Sequence, residues 1–239
     1  MAVIHHTTLR PTKLELLADW LPSRPWYQGA TGTAALAKAG GFRLDDPEGE
    51  VGIEFMVVTD GSGHVPVSYQ VPLTYRGSPL AGAEAGLVGT LEHGVLGKRW
   101  VYDGTHDPVL VEQLLTLLAG RTVAQAQSAT ATPDPTVEVR SEGAGVPVGL
   151  TGPGEVADTT EATVVAVGPA GQDPALTLTV TRVLRPGAAA GQGLRGQVLA
   201  GWPAPDGAGE RGAFAFLSDA GPRPQGAPDP QVGGPGTPR

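Results

Sequence analysis

Cysteine is missing from all 239 residues, and so is asparagine. Without thiols the chain can form neither disulfides nor thiolate metal sites, which fits a reducing compartment. Lysine is nearly absent as well, at Lys13, Lys38 and Lys98 only, and lysine and arginine form no cluster. With a formal charge of −8, the sequence lacks the basic footprint through which nucleic-acid binders engage phosphates. No apolar run approaches the roughly 20 residues that a membrane-spanning helix requires. The opening "MAVIHHTTLRPTKLELLADWL" has neither a basic stretch nor a continuous apolar one, so no signal peptide is expected. These shortages predict a cytoplasmic protein with no nucleic-acid partner and no membrane partner.

Glycine (36) and proline (23) are plentiful. Together they come close to the ~25–30% level at which low complexity becomes a concern. Much of that enrichment lies late in the chain. Abundant alanine, glycine, proline and arginine beside scarce lysine also suggest a GC-rich genome, so mutational bias has shaped this composition too.

The first half carries the clearer periodicities. "PTKLELLADWLPSRPW" predicts a short amphipathic helix: Thr12 and Glu15 have capping-box spacing, Leu14, Leu17 and Leu21 share a face, and Pro22 stops it. "TAALAKAGGF" predicts a further helical turn ended by Gly40–Gly41. In "EVGIEFMVVTDGSGHVPVSYQVPLTYRG", Val51, Ile53, Phe55 and Val57 alternate with other residues, as do Val67, Tyr69, Val71 and Leu73. With the Asp60–Gly–Ser–Gly turn between them, these runs predict a β-hairpin. "RWVYDG" supplies another short strand, and "DPVLVEQLLTLLAG" a helix ended by Gly120. "SATATPDPT", residues 128–136, reads as a linker. Beyond it, "TVEVRSE", "TEATVVAVG", "ALTLTVTRVLRPG" and "GERGAFAFLSD" read as strands separated by Gly/Pro turns, and 221–239 reads as a disordered tail. The expected organisation is a domain over 1–127, a linker over 128–136, a β-rich subdomain over 137–220 and the tail.

Few groups suggest chemistry. In "RWVYDGTHDPVLVEQLL", Asp103, His106 and Asp107 resemble a catalytic cluster, but Pro108 fits the first helical position and makes Asp107 the helix cap. Asp103–Gly104 is then a turn pair, and no nucleophile stands nearby. The histidines His5, His6, His64, His93 and His106 show no helical chelating spacing, and neighbours on a strand point to opposite faces, so no metal is expected. "GQGLRG", Gly191 to Gly196, matches G-x-G-x-x-G without the strand–turn–helix setting that gives the pattern meaning, because Trp202–Pro203 cuts the next segment short. The aromatics Trp20, Trp26, Tyr27, Trp100 and Tyr102 are expected mostly in the core. Those after the Pro22 stop could instead stand half exposed and stack on a sugar or anchor a partner.

Three of these stretches, in order, resemble the N-terminal cap domain of actinobacterial maltokinases: "LELLADWLPSRPWYQG", "YQVPLTYRG" and "YDGTHDPVLVEQLL". That family carries a W-L-P/aromatic-G opening, a YQ-x-P-L strand and a D-x-x-x-D-P helix start in those places. The resemblance covers about residues 10–120. It implies an α+β fold, an antiparallel curved sheet with flanking helices, followed by a small glycine-rich β subdomain. In the second half, "DTTEATVVAVG" is similar to the kinases' nucleotide-covering hairpin, and "LTVTRVLRPG" to the strand that bears their ATP-contacting lysine. On that register the lysine falls on Thr179 and a glutamate of the closing turn on Arg185. Threonine cannot neutralise phosphate oxygens, and no H-G-D-type loop or D-F/W-D/E segment occurs in the 239 residues.

The resemblance therefore implies a non-catalytic, cap-like binding or regulatory protein of maltose/trehalose–glycogen metabolism, with no cofactor. A carbohydrate-metabolism enzyme, a maltokinase or a trehalose synthase, is the expected partner. The alternative is a sugar- or glucan-binding protein, or an accessory subunit of a separately encoded sugar kinase. The contact residues expected in either case are Trp26, Tyr27, Trp100, Tyr102 and Asp103.

Overall fold

The chain enters through a two-residue strand, β1 (Leu9–Arg10), and turns at Pro11 into helix α1 (Lys13–Trp20). The computed structural model describes residues 8–30, 32–127, 132–173, 175–189 and 191–220. The expected tail at 221–239, the His5–His6 pair and positions 128–131 of the expected linker lie outside the described residues. Helix α1 starts as the sequence predicts. The Glu15 amide donates to Thr12 Oγ1 at 3.2 Å, and the Thr12 amide donates to Glu15 Oε2 at 2.7 Å, closing a capping box. Leu21–Ser23, with Pro22, tightens into a single 3-10 turn that ends it.

The "TAALAKAGGF" segment is not helical. Most of it lies in a nine-residue strand, β2 (Leu36–Leu44), paired with β3 (Gly52–Asp60). Local helix propensity is a weak prior, and here a strand edge overrides it. Gly40 and Gly41, read as a helix end, instead form a bulge at φ +109° and +119°, where the register jumps from Lys38 to Gly41. Gly41 also lies directly on the neighbouring backbone: a Cβ there would stand 1.9 Å from the Phe55 carbonyl oxygen.

Strands β3 and β4 (Val67–Arg76) form the predicted hairpin, with Gly52 facing Tyr75 and Asp60 facing Val67. A second hairpin, β5 (Leu87–His93) and β6 (Gly97–Asp103), joins β4 through β6. Adding β7 (Gln125–Ala126) completes a seven-stranded antiparallel sheet in the order β1-β5-β6-β4-β3-β2-β7. Helix α2 (Pro108–Leu118) follows β6 and ends at Ala119–Gly120, with Gly120 at φ +67°. The second sheet is antiparallel too. It comprises β8 (Glu138–Ser141), β10 (Val156–Asp158), β11 (Ala162–Pro169), β12 (Leu176–Thr181), β13 (Leu194–Pro203) and β14 (Gly209–Asp219), with β9 (Leu150–Thr151) attached to β11.

Strand β3 is buried on both faces because two layers cover it. Ile53, Phe55 and Val57 point toward α2 and the second sheet, where Phe42 stacks on Phe55 at 4.5 Å and Leu178, Val180 and Phe214 close the core. Met56 and Val58 point the other way, toward Leu17, Trp20 and Trp26. Residues 182–184 then run along the part of β4 that β6 leaves uncovered. The Gln70 amide donates to the Arg182 carbonyl, and the Leu184 amide to the Ser68 carbonyl, both at 2.9 Å. Val183 is thereby built into the apolar cluster beneath α1.

The expected α+β class holds only loosely. The sheets are antiparallel and curled, as expected, but among the described residues the α-helices are the eight of α1 and the eleven of α2, so the fold is mostly β. Part of the difference is that the alanine-rich segment read as a helical turn joins the sheet instead.

Candidate functional site

The "WYQG" stretch, Trp26 to Gly29, locks the start of the chain onto the first sheet. The Trp26 ring is wholly enclosed, 5.8 Å from both Trp20 and Tyr69. Tyr27 stacks on Tyr69 and donates its hydroxyl to Asp60 Oδ2 at 2.7 Å, while the Gln28 amide donates to the Tyr69 hydroxyl at 2.8 Å. Burial pushes the Tyr69 phenol up to about 12, against the Gln28 amide bond, which favours the charged form. Gly29 passes so close that a Cβ would stand 2.1 Å from the Tyr27 hydroxyl, so a larger residue there would have to displace the Tyr27–Asp60 pair.

Beside Trp26 lies an ion pair fully withdrawn from solvent. Arg182, 0% exposed, donates from Nη2 to Asp103 Oδ2 at 2.5 Å and to Thr105 Oγ1 at 3.2 Å, and from Nε to Thr163 Oγ1 at 2.7 Å. Its guanidinium stands 5.1 Å over the Trp26 ring, a cation–π contact between two fully buried groups. Burial would raise the Asp103 carboxyl, but the Arg182 charge and the bonds from Arg182 and Thr105 outweigh it and hold the group below the usual carboxylate range. Among the described residues, Arg182 Nη1 and Trp26 Nε1 have no hydrogen-bond partner.

Asp107 is likewise structural. Its Oδ1 accepts from the Val109 amide at 3.0 Å, the expected cap, and both its oxygens accept from Arg76 at 2.7 Å. The bond to Asp107 holds the Arg76 guanidinium above its ordinary value. A third buried carboxylate, Glu54, accepts from Lys13, from the Tyr75 hydroxyl at 2.7 Å and from Gln127 at 3.1 Å. Burial opposes its ionisation, yet Lys13 and Tyr75 hold it below the usual range.

Of the five residues expected at a contact surface, Trp26, Tyr102 and Asp103 are enclosed. Tyr102 spends its hydroxyl on the Leu80 amide at 2.9 Å. Only Tyr27, in the loop after α1, and Trp100, on β6, are half-buried and partly open to solvent. Lys98 lies 5.1 Å over the Trp100 ring. His64 is exposed, while His93 and His106 are half-buried. Thr179 faces away from the core, between Val164 and Phe216 in register, and Arg185 pairs with Glu161 at 2.8 Å on the surface.

Among the described residues no group of three or more His, Cys, Asp or Glu could hold a metal ion. No helix among them is long and apolar enough to cross a membrane. A groove of about 240 Å³ beside β9 and β11 offers only Thr151 and Gln172 as polar side chains. Sequence reasoning missed Arg182, Glu54 and Arg76. Arg182 could have been found, since the inward positions Leu176, Leu178 and Val180 continue in period two onto Arg182 and Leu184. A charge on that row announces a buried counter-ion.

No curated protein matches the sequence. The family model of the maltokinase N-terminal cap domain matches residues 20–107, from the tryptophan that ends α1 to the aspartate that caps α2. That span takes in the WYQG lock, both hairpins and the Asp103 carboxylate, so the resemblance of this chain to maltokinase N-terminal cap domains holds over residues 20–107.

Proposed function

We propose that this chain is a non-catalytic, cap-like binding or regulatory protein of maltose/trehalose–glycogen metabolism, acting in the cytoplasm by docking to a carbohydrate enzyme such as a maltokinase or a trehalose synthase. The observation that carries this reading is the cap-domain match over residues 20–107. The contacts of the matched residues support the non-catalytic part. Asp103, Asp107 and Glu54 each have their oxygens taken up by fixed donors, which leaves none poised as a general base. Thr179, at the position where the kinases' nucleotide-contacting lysine falls, brings no cation to its outward face. Residues 137–220 are, on this reading, a degenerate counterpart of the kinase subdomain that follows the cap, with 1–127 as the cap-like unit.

The test is direct binding. Purified chain is titrated against purified maltokinase and trehalose synthase of the same organism by calorimetry and gel filtration. Micromolar or tighter association with either supports the proposal; no association with both, together with a pull-down that returns no carbohydrate enzyme, would end it. Phosphate transfer from ATP to maltose by the chain alone would end the non-catalytic part.

One observation favours a second reading, a sugar- or glucan-binding protein or an accessory subunit of a sugar kinase. Trp100 offers a partly open ring beside Lys98. Trp20, Trp26 and Trp202 are enclosed, so tryptophan fluorescence under maltose or glycogen titration reports chiefly on Trp100. A flat response at millimolar sugar removes this reading.

A further inference from the structure

The turn between β5 and β6 carries an arrangement that the fold does not need. Val95 is 61% exposed and Leu96 46%, and they are consecutive, whereas the other exposed large hydrophobics among the described residues stand singly. Isolated exposed apolar residues are ordinary surface, while contiguous exposed apolar area with a polar rim marks contact points. The turn is also held rigid. The amides of Val95 and Leu96 both donate to His93 Nδ1, at 3.3 and 3.1 Å, and Arg99 donates to the Leu96 carbonyl at 2.9 Å. These bonds hold the turn backbone in place, so little conformational freedom would be lost on contact.

The border is basic in an acidic molecule. The rungs next to the turn carry Arg10, Lys98 and Arg99 against one carboxylate, Glu92, although the chain as a whole has a net charge of −8. A carboxylate-bearing partner meets three cations to one carboxylate at this hairpin end, in a chain that is acidic as a whole. Complementary charge of this kind orients an encounter and rejects wrong partners more than it adds affinity.

We infer that the Val95–Leu96 tip is the docking element of the chain, inserting into an apolar pocket rimmed by carboxylates on a partner protein. This rests on the reading of the chain as a binding module, but not on its link to maltose metabolism. The two anchoring side chains supply burial, and Arg10, Lys98 and Arg99 supply orientation.

The experiment places a photo-crosslinking phenylalanine analogue at position 96 of the full chain in cells, with position 123 as control, because Val123 is exposed but isolated. The crosslinked partner is then identified, purified and titrated with the unmodified chain. The expected result is one protein captured from 96 and not from 123, joined through an apolar peptide flanked by Asp or Glu. Its affinity should fall at least about tenfold with Leu96→Asp, consistent with a lost buried leucine, and should weaken with added salt and with Lys98→Glu. Circular dichroism of both variants should match the parent, since both sites are exposed. Capture of nothing, of a second copy of this chain, of lipid, or of the same protein from both positions would overturn the inference, as would a basic pocket rim. A partner outside carbohydrate metabolism would leave the tip standing and remove the maltose link; a carbohydrate enzyme bound equally well by Leu96→Asp would do the reverse.

Discussion

Replacing Asp103 by alanine should be among the most damaging single changes in this chain, and the reason can be worked through from the surroundings of Arg182. The guanidinium is 0% exposed, so it cannot recover hydration when its counter-ion goes. Removing one partner of a buried pair costs about 3–5 kcal/mol because an uncompensated charge stays behind. Thr105 also loses the oxygen that accepts from its amide and its hydroxyl. Against a typical stability of about 5–15 kcal/mol this is a large fraction. At about 2–4 °C per kcal/mol for a chain of this size, the melting temperature should fall by about 6–20 °C. Urea unfolding followed by circular dichroism and by tryptophan fluorescence measures it, the second probe being sensitive because Trp26 lies against Arg182. The double variant Asp103→Leu with Arg182→Met should recover most of the loss, since apolar residues of similar volume tolerate such a site. The pH dependence has a definite sign. The Asp103 carboxyl is depressed in the folded protein, so its contribution is present above the unfolded value of about 3.9 and is lost as pH falls through the folded one. The gap between parent and Asp103→Ala should therefore stay constant near neutrality and close only below about pH 4. A loss under about 1 kcal/mol, or a gap that closes near pH 6–7, would refute the reasoning.

Three other substitutions test the remaining structural claims. Gly41→Ala combines a left-handed backbone with a Cβ 1.9 Å from the Phe55 carbonyl oxygen, and should cost at least about 2–3 kcal/mol in urea unfolding; a cost under about 0.5 kcal/mol would show the bulge to be soft. Gly29→Ala should displace Tyr27 from Asp60, costing about 1–3 kcal/mol, with a shifted tyrosine ring resonance as its NMR signature. Asp107→Ala should cost about 2–4 kcal/mol by removing both the cap and the Arg76 bridge, while Asp107→Asn, able to keep the cap, should cost less. Equal losses for the two Asp107 variants would mean that the cap contributes nothing.

Much of the architecture was legible where a local rule and the tertiary fold agree. Thr12 with Glu15, and Asp107 with Pro108, sit at helix starts because capping needs only residues within four positions of one another. The β3–β4 hairpin was visible because its alternation matches a face that is buried in the fold. It was half visible, though, since Met56 and Val58 are enclosed as well, under a helix that sequence spacing cannot assign to that face. The β2 strand was misread because alanine and lysine favour a helix locally, and only the partner strand β3 says otherwise. Trp26 and Tyr102 obeyed the same logic. Whether an aromatic after a helix stop faces water depends on which residues arrive from elsewhere, and here Val183 and Arg182 arrive from more than 150 positions along the chain from Trp26. The candidate contact residues were thus legible as aromatic and polar but not as inside or outside.

That distinction bears on what the cap match can mean. The residues that carry the resemblance most visibly, Trp26, the Tyr69–Gln70 step, Asp103 and Asp107, all point inward and are tied to one another or to the second sheet. A signature built from inward residues specifies how a sheet is closed and does not by itself specify what the closed sheet touches. Two proteins can share it in full while differing at every outward position. On the proposed reading, specificity for a partner lies in residues that the signature leaves out, and the Val95–Leu96 tip and the Lys98–Trp100 pair are of that kind. Exchanging the 94–96 turn for a Gly/Ser turn of equal length should accordingly leave stability within about 0.5 kcal/mol, as surface changes do, while abolishing docking. If the exchange destabilised the chain as strongly as Asp103→Ala, this division between inward signature and outward function would be wrong.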